Sequence, residues 1–336
     1  MRVQGVPMLR KWLSLLTALL LPFSCALAQG ADDGLQGYTE DELLDMMAQL
    51  PEDGEDDNSA FLVLPEDISM PDENVYTILL IGSDAYSDDH RGRSDTTILV
   101  QVDAESKTIR MASFLRDMYV KIPGKGSNRL NASYIWGGAD LLLKTLETNF
   151  GVTADAWVEV NFERLVKVID AIGGAEVEVS ETERTQVNSI LRFYNEKTGA
   201  PKEDQLLTES GLVCLTGKQA LCYSRIRKID GDFQRTGRQR KVLEAAFHKV
   251  TQLSLAEISM LVLENMDAVS TNLSLSDALE LIPLALRCKN ASFDILTIPV
   301  AGAYKHTTVN DMAVIRPNLK KNQQALREFF HLQQDK

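Results

Sequence analysis

Residues 223–239 hold four arginines and a glutamine amide, as Tyr223-Ser-Arg-Ile-Arg227 followed by Arg235-Thr-Gly-Arg-Gln239. A guanidinium stays charged at any relevant pH and offers two parallel donors, so this cluster suits the oxygens of a phosphate or pyrophosphate. Read as an extended segment, Tyr223–Arg227 alternates faces and points Arg225 and Arg227 the same way. On the helix expected to follow, Arg235 and Gln239 are four apart and share a face. Taken singly, any of these arginines reads as a solvated surface ion pair. The paired spacing favours an anion clamp.

Two aspartates sit where they can face that clamp. Gly82-Ser-Asp84 ends a predicted strand and Gly92-Arg-Ser-Asp-Thr96 opens the next, so both turns belong to one edge of a sheet. Magnesium takes one or two carboxylates together with substrate phosphate oxygens, and Asp84 with Asp95 matches that requirement. Each aspartate alone reads equally as a turn or capping residue. Ser113-Phe-Leu-Arg-Asp117 adds the cation Arg116, with Asp117 beside it to hold a guanidinium. Ile122-Pro-Gly-Lys-Gly126 and Gly137-Gly138 form glycine-bearing turns, and Gly173-Gly174 reads as structural.

These residues need a scaffold, and the hydrophobic pattern supplies one. Tyr76–Ile81 is a buried strand, while Thr96–Val102 and Ile109–Phe114 form a hairpin around Asp103–Lys107. Helix Ala139–Phe150, strand Ala156–Val160, helix Phe162–Ile172 and strand Ala175–Val179 follow, then helical patterns at 235–253, 255–266 and 274–286. Strands at 293–298 and 312–315 and a helix at 319–332 close the chain. Strands alternating with helices of about three turns predict an α/β fold of three α/β/α layers, a central mixed sheet flanked by helices.

Composition narrows the function. The net charge of -13 is concentrated, because Ala31–Val75 carries 15 Asp or Glu and no Lys or Arg. The body after it is nearly neutral, so a nucleic-acid partner is not expected. Residues 1–28 join Arg2, Arg10 and Lys11 to an apolar run and Ala26-Leu27-Ala28, which reads as a signal peptide or as an N-terminal membrane anchor. Residues 29–75 read as an acidic linker and 76–336 as the folded domain that carries the clamp and the aspartates. Cleavage after Ala28 leaves Cys214, Cys222 and Cys288, enough for one disulfide or three free thiols. Four scattered histidines offer neither a metal site nor a triad.

Ten motifs in order carry a resemblance. Gly82-Ser-Asp, Gly92-Arg-Ser-Asp-Thr, Ser113-x-x-Arg-Asp, Ile122-Pro-Gly-x-Gly, Leu130-Asn-Ala, Gly137-Gly, Asp170-Ala-Ile-Gly-Gly174, Leu215-Thr-Gly-Lys-Gln-Ala-Leu221, Tyr223-Ser-Arg-Ile-Arg227 and Asp232-Phe-x-Arg-x-x-Arg-Gln239 resemble the LytR-CpsA-Psr family of cell-wall enzymes. The match is dense from Tyr76 to about Val250. It implies an exported protein at the outer face of the cytoplasmic membrane or in the wall of a Gram-positive-type bacterium. The implied activity is a magnesium-dependent phosphotransfer of a glycopolymer, such as teichoic acid or capsule, from a polyprenyl-pyrophosphate carrier to peptidoglycan. The family's metal-binding aspartates match Asp84 and Asp95, with Arg116 beside them as a catalytic cation. Its pyrophosphate-binding residues match Arg116, Arg225, Arg227, Arg235 and Gln239. Its lipid tunnel is expected along Leu142, Leu146, Val158, Val160 and Leu165, positions that read equally as ordinary core.

Two features depart from the family pattern. Tyr86 stands where many members carry an arginine, with Arg91 nearby as a substitute, and the N-terminus looks processable. Two further readings stay open: a pyrophosphatase that uses water as acceptor, and a non-catalytic wall or lipid-phosphate binding regulator.

Overall fold

In the computed structural model, residues 74–84, 92–265 and 269–331 are described. The signal or anchor segment, nearly all of the acidic linker, Tyr86 and Arg91 lie outside the described residues. The first element among the described residues is β1 (Val75–Ser83), whose Ile78–Ile81 core is buried on both sides, as the uninterrupted apolar run requires. A hairpin of β2 (Ser94–Asp103) and β3 (Thr108–Phe114) follows. The short ribbon β4 (Tyr119–Ile122) and β5 (Gly126–Arg129) leads into helix α1 (Leu130–Phe150). Gly137 and Gly138 interrupt α1, and Gly138 takes φ 66°, ψ -157°, a conformation open to glycine but not to a side chain. The two glycines therefore kink a helix that begins before them, rather than starting one.

Next come β6 (Ala156–Val160), α2 (Phe162–Ala171), β7 (Ala175–Val179), α3 (Glu181–Thr198) and β8 (Gly211–Leu215). The chain continues through α4 (Gly217–Ser224), α5 (Asp232–Val250), α6 (Leu255–Asn265), β9 (Ser270–Thr271), α7 (Leu275–Glu280) and α8 (Ile282–Arg287). It finishes with β10 (Ser292–Ile298), β11 (Tyr304–Val309), β12 (Met312–Pro317) and α9 (Leu319–Phe330).

Six strands form one sheet in the order β10-β3-β2-β1-β6-β9. It is mixed, with β1–β6 and β10–β3 parallel and β1–β2, β2–β3 and β6–β9 antiparallel. Alternation along each strand divides its residues between two layers. Leu79, Leu99, Ala112 and Phe114 pack against α1 and α9 through Leu142, Leu146, Phe150, Leu326 and Phe330. Ile98, Val100 and Met111 face the other way, toward α5. The expected three-layer α/β/α architecture is the observed one.

β7 is an exception to the alternating pattern. It pairs with β8 in a separate two-stranded ribbon instead of joining the central sheet. The cause is its sequence: Ala-Glu-Val-Glu-Val buries every second residue and exposes the glutamates, so it suits a one-sided strand.

Candidate functional site

Asp95 is where the site converges, and a bulge puts it there. Gly82 pairs with Thr96 and Ser83 with Ser94, so Asp95 is the extra residue between them. Bulges kink the strand and re-aim a side chain. The Asp95 carboxylate accepts from Arg116 Nη1 at 2.6 Å and from Arg227 Nη2 at 3.1 Å, while Arg235 Nη2 donates to its backbone carbonyl at 3.3 Å. A second carboxylate, Asp232 at the start of α5, lies 3.3 Å from Arg116 Nε, 3.5 Å from Arg235 Nε and 3.7 Å from Arg227 Nε. Asp117 stands 3.7 Å from Arg116 and 3.4 Å from Arg129.

The electrostatics suit an anion. Burial alone pushes the Asp95 carboxyl up, but the Arg116 hydrogen bond and the charges of Arg116, Arg235 and Arg227 hold it below its ordinary range. Because the folded value is depressed, these pairs persist above the unfolded carboxylate pKa and are lost only as pH falls through the folded one. Arg235, 2 % exposed, is brought down to about 10, first by burial and then by repulsion from Arg227 and Arg116, against the pull of Asp232 and Asp95. It still carries its charge at neutral pH. Three crowded guanidiniums sharing two carboxylates would gain from a polyanion, which relieves their mutual repulsion.

The arginines sit at one end of a cavity that opens to solvent there. Asp95, Arg225, Arg227, Arg235 and Gln239 form that end. The Arg227 side chain is 39 % exposed, so the polar end reaches solvent. Apart from Ser83, Thr96, Asn161 and Ser224, the remaining wall is apolar, built by Leu80, Ile98, Val158 and Val160 from the sheet, Leu165 and Ile169 from α2, Leu221 from α4, and Val242, Leu243 and Ala246 from α5. A charged collar on an apolar pocket fits an amphiphile with an anionic head.

Most of the residues singled out in the sequence meet here. Arg116, Arg225, Arg227, Arg235 and Gln239 lie at or beside the collar, although the geometry around Arg225 differs from expectation. Tyr223 and Ser224 end helix α4, and Arg225 caps it in a right-handed helical conformation, so the segment is not extended. Arg225 instead stacks on the Phe162 ring, 4.4 Å from its centroid. Gln239 lines the cavity, and its buried Oε1 has no hydrogen-bond partner among the described residues. Asp84 sits across the hairpin end from Asp95, where its Oδ1 accepts from the Arg93 amide. It does not line the cavity.

Val158, Val160 and Leu165 line the cavity, but Leu142 and Leu146 do not. Both leucines are in the opposite layer, packed between α1 and the sheet. Periodicity marks them as buried without saying which side of the sheet α1 crosses. Two site residues carry no assigned role in the sequence reading: Asp232, the shared counter-ion, which appears there only as the first residue of a motif, and Phe162, the platform for Arg225. An aspartate opening a helix looks like an ordinary dipole partner, so its sequence signal is only the spacing to Arg235.

Other motifs serve the scaffold. Thr216 and Gln219 form a capping box that starts α4, and Asp170 Oδ1 accepts from the Gly217 amide at 2.6 Å. A Cβ on Gly217 would come within 2.1 Å of the Val166 carbonyl oxygen, so only glycine lets α4 approach α2 this closely. Cys214, Cys222 and Cys288 are free thiols, with Cys222 pushed up to about 12 chiefly by burial.

A LytR_cpsA_psr family model matches residues 48–328, beginning inside the acidic segment. A curated relative, the polyisoprenyl-teichoic acid–peptidoglycan teichoic acid transferase TagU of Enterococcus faecalis, is 34 % identical over 216 residues. The match covers 62 % of this chain and 65 % of that protein, just under two thirds of its length. Among solved structures, TagT bound to LIIa-WTA is similar with a TM-score of 0.63 and 28 % identity, covering 81 % of this chain and 95 % of that one. TagT with bound octaprenyl pyrophosphate lipid gives a TM-score of 0.58 and 25 % identity over the same shares.

Proposed function

The chain belongs to the LytR_cpsA_psr family, and on that premise we propose that it transfers a glycopolymer from a polyprenyl-pyrophosphate carrier to peptidoglycan. The observation that carries this reading is the collar of Arg225, Arg227 and Arg235 on a mostly apolar cavity, with Arg116 behind it on Asp95, a shape matched to a diphosphate bearing a hydrocarbon tail. The relatives' transferase names and the octaprenyl pyrophosphate held by TagT support the same substrate class. The protein would work at the outer face of the cytoplasmic membrane, where such carriers present their cargo. Among the described residues no helix is long and apolar enough to cross a membrane.

The reaction balances as a phosphoryl substitution. A peptidoglycan sugar hydroxyl attacks the phosphorus joined to the glycopolymer, the bond from that phosphorus to the bridging oxygen breaks, and the lipid monophosphate leaves with the electron pair. Arg116, Arg227 and Arg235 hold the non-bridging oxygens and take up charge as it moves to the leaving group, which is where most of the rate gain in phosphoryl transfer arises. The hydroxyl proton passes to one of the two aspartates at this end of the sheet, Asp84 or Asp95.

Magnesium fits the donor set. Asp84 and Asp95 are hard oxygen donors on one hairpin end beside the arginines, and this ion needs only one or two carboxylates when phosphates complete its shell. When bound it would neutralise charge on the diphosphate. The glycopolymer would be teichoic acid or capsule-like.

The test is product analysis with purified protein, a polyprenyl-pyrophosphate-linked glycopolymer and peptidoglycan, with magnesium or with EDTA. Polymer attached to peptidoglycan together with free lipid monophosphate, lost in EDTA, is expected. Free polymer phosphate would mean hydrolysis by water, and binding without turnover would mean a regulator; either outcome overturns the proposal.

A further inference from the structure

A second, smaller apolar cavity lies beyond the first, lined by Val100, Val102, Ile109, Met111, Phe247 and Phe293 together with Leu243. Leu243 belongs to both linings. The same two elements build both walls in the same order. Along β2, Thr96 and Ile98 face the large cavity and Val100 and Val102 the small one, alternate residues of a single face. Along α5, Arg235 and Gln239 come first, then Val242 and Leu243, then Phe247. Both elements start at the arginine collar and run away from it, so the cavities lie in series. By helix rise, Leu243 stands roughly 12 Å beyond Arg235 along α5. It is only partly buried, unlike Val242, Ala246 and Phe247 around it. The far chamber closes against Phe293, whose ring packs edge-on to Phe247 at 5.5 Å.

We infer that Leu243 is the partition between two chambers of one lipid channel and sets how long a prenyl tail the protein prefers. This rests on the prenyl-pyrophosphate reading of the collar and adds the selection of tail length to it. A short tail ends before Leu243. A long tail must displace the leucine side chain and widen the narrow gap between β2, β3 and Phe247, where each further apolar group removed from water adds affinity. The leucine suits this role because rotation about its side-chain bonds opens the passage without moving the backbone of α5.

The experiment measures binding of geranyl and octaprenyl pyrophosphate to the full chain and to L243W and L243A. The tryptophan should block the passage and lower the octaprenyl-to-geranyl affinity ratio by about tenfold, while the alanine should raise it several-fold. The ratio is read on folded protein, and the opposite signs of the two variants keep the test intact if one of them folds poorly. Ratios unchanged from the parent in both variants, or shifted in the same direction, overturn the partition. If the parent chain binds neither diphosphate, the substrate reading fails and the partition fails with it. Equal weakening of both ligands by L243W removes the partition alone.

Discussion

Arg227→Ala is expected to lower kcat/KM for transfer by about 10²–10³-fold, the usual cost of removing a single preorganised donor from a developing charge. Arg227 is the most exposed of the three guanidiniums around Asp95 and forms the solvent-facing side of the collar, so it is the one free to follow the substrate. Arg116→Ala should fall in the same range and also strip Asp95 of its shortest contact, 2.6 Å. Lysine at 227 should restore only part of the loss, because an ammonium cannot span two phosphate oxygens. Steady-state kinetics on the same lipid-linked donor make the comparison. A change confined to KM would assign the arginine to ground-state binding, and unchanged turnover in both alanine variants would refute the clamp.

The largest effect on stability is expected at Arg238→Ala, about 1–3 kcal/mol. This side chain is buried one turn beyond Arg235 on α5. Its Nε donates to Glu183 at 2.8 Å, and its fork grips Asp230 through Nη1 at 3.0 Å and through Nη2, with a further contact from Nη1 to the Ile226 carbonyl at 3.3 Å. Deleting it takes the guanidinium from the half-buried Glu183 and the exposed Asp230 and releases the segment that carries Arg225 and Arg227. Burial alone would push the Glu183 carboxyl up, but its hydrogen bonds from Ser180 and Arg238 hold it below the usual range. A depressed folded value means that the pair stabilises above the unfolded carboxylate pKa and is lost as pH falls through the folded one. Urea denaturation should therefore show a lower midpoint for Arg238→Ala at pH 7, with the gap to the parent closing in acid. A midpoint within experimental error of the parent at neutral pH would contradict the role assigned to this arginine. Arg238 does not line the cavity, so any loss of transfer measured below the unfolding transition reports positioning of the Arg225–Arg227 segment.

The scaffold was legible wherever period and punctuation agreed. The apolar run at 76–81, the hairpin around Asp103–Lys107 and helix 162–172 all reappear within a residue or two, because each has a strong pattern and a turn at its end. The collar was legible through arginine spacing, although the geometry behind it was not. Tyr223–Arg227 read as extended because alternation over five residues mimics a strand. The deciding signal lay upstream, in the Thr216–Gln219 capping box that launches a helix through Ser224. A similar box, Ser180 with Glu183, starts α3, which the sequence reading passed over.

Layer assignment was the other failure. Leu142 and Val158 look alike in sequence, yet one packs between α1 and the sheet and the other lines the cavity on the reverse side. No local pattern encodes which face a crossing helix takes. The bulge at Asp95 is of the same kind, since one extra residue in β2 is defined only by the register of its partner β1.

The most direct measurement is a crystal structure of the protein with octaprenyl pyrophosphate. The account predicts the diphosphate against Arg116, Arg227 and Arg235, with the tail running between β2 and α5 toward Leu243. A diphosphate bound away from these arginines, or a tail lying on the α1 side of the sheet among Leu142 and Leu146, would contradict it.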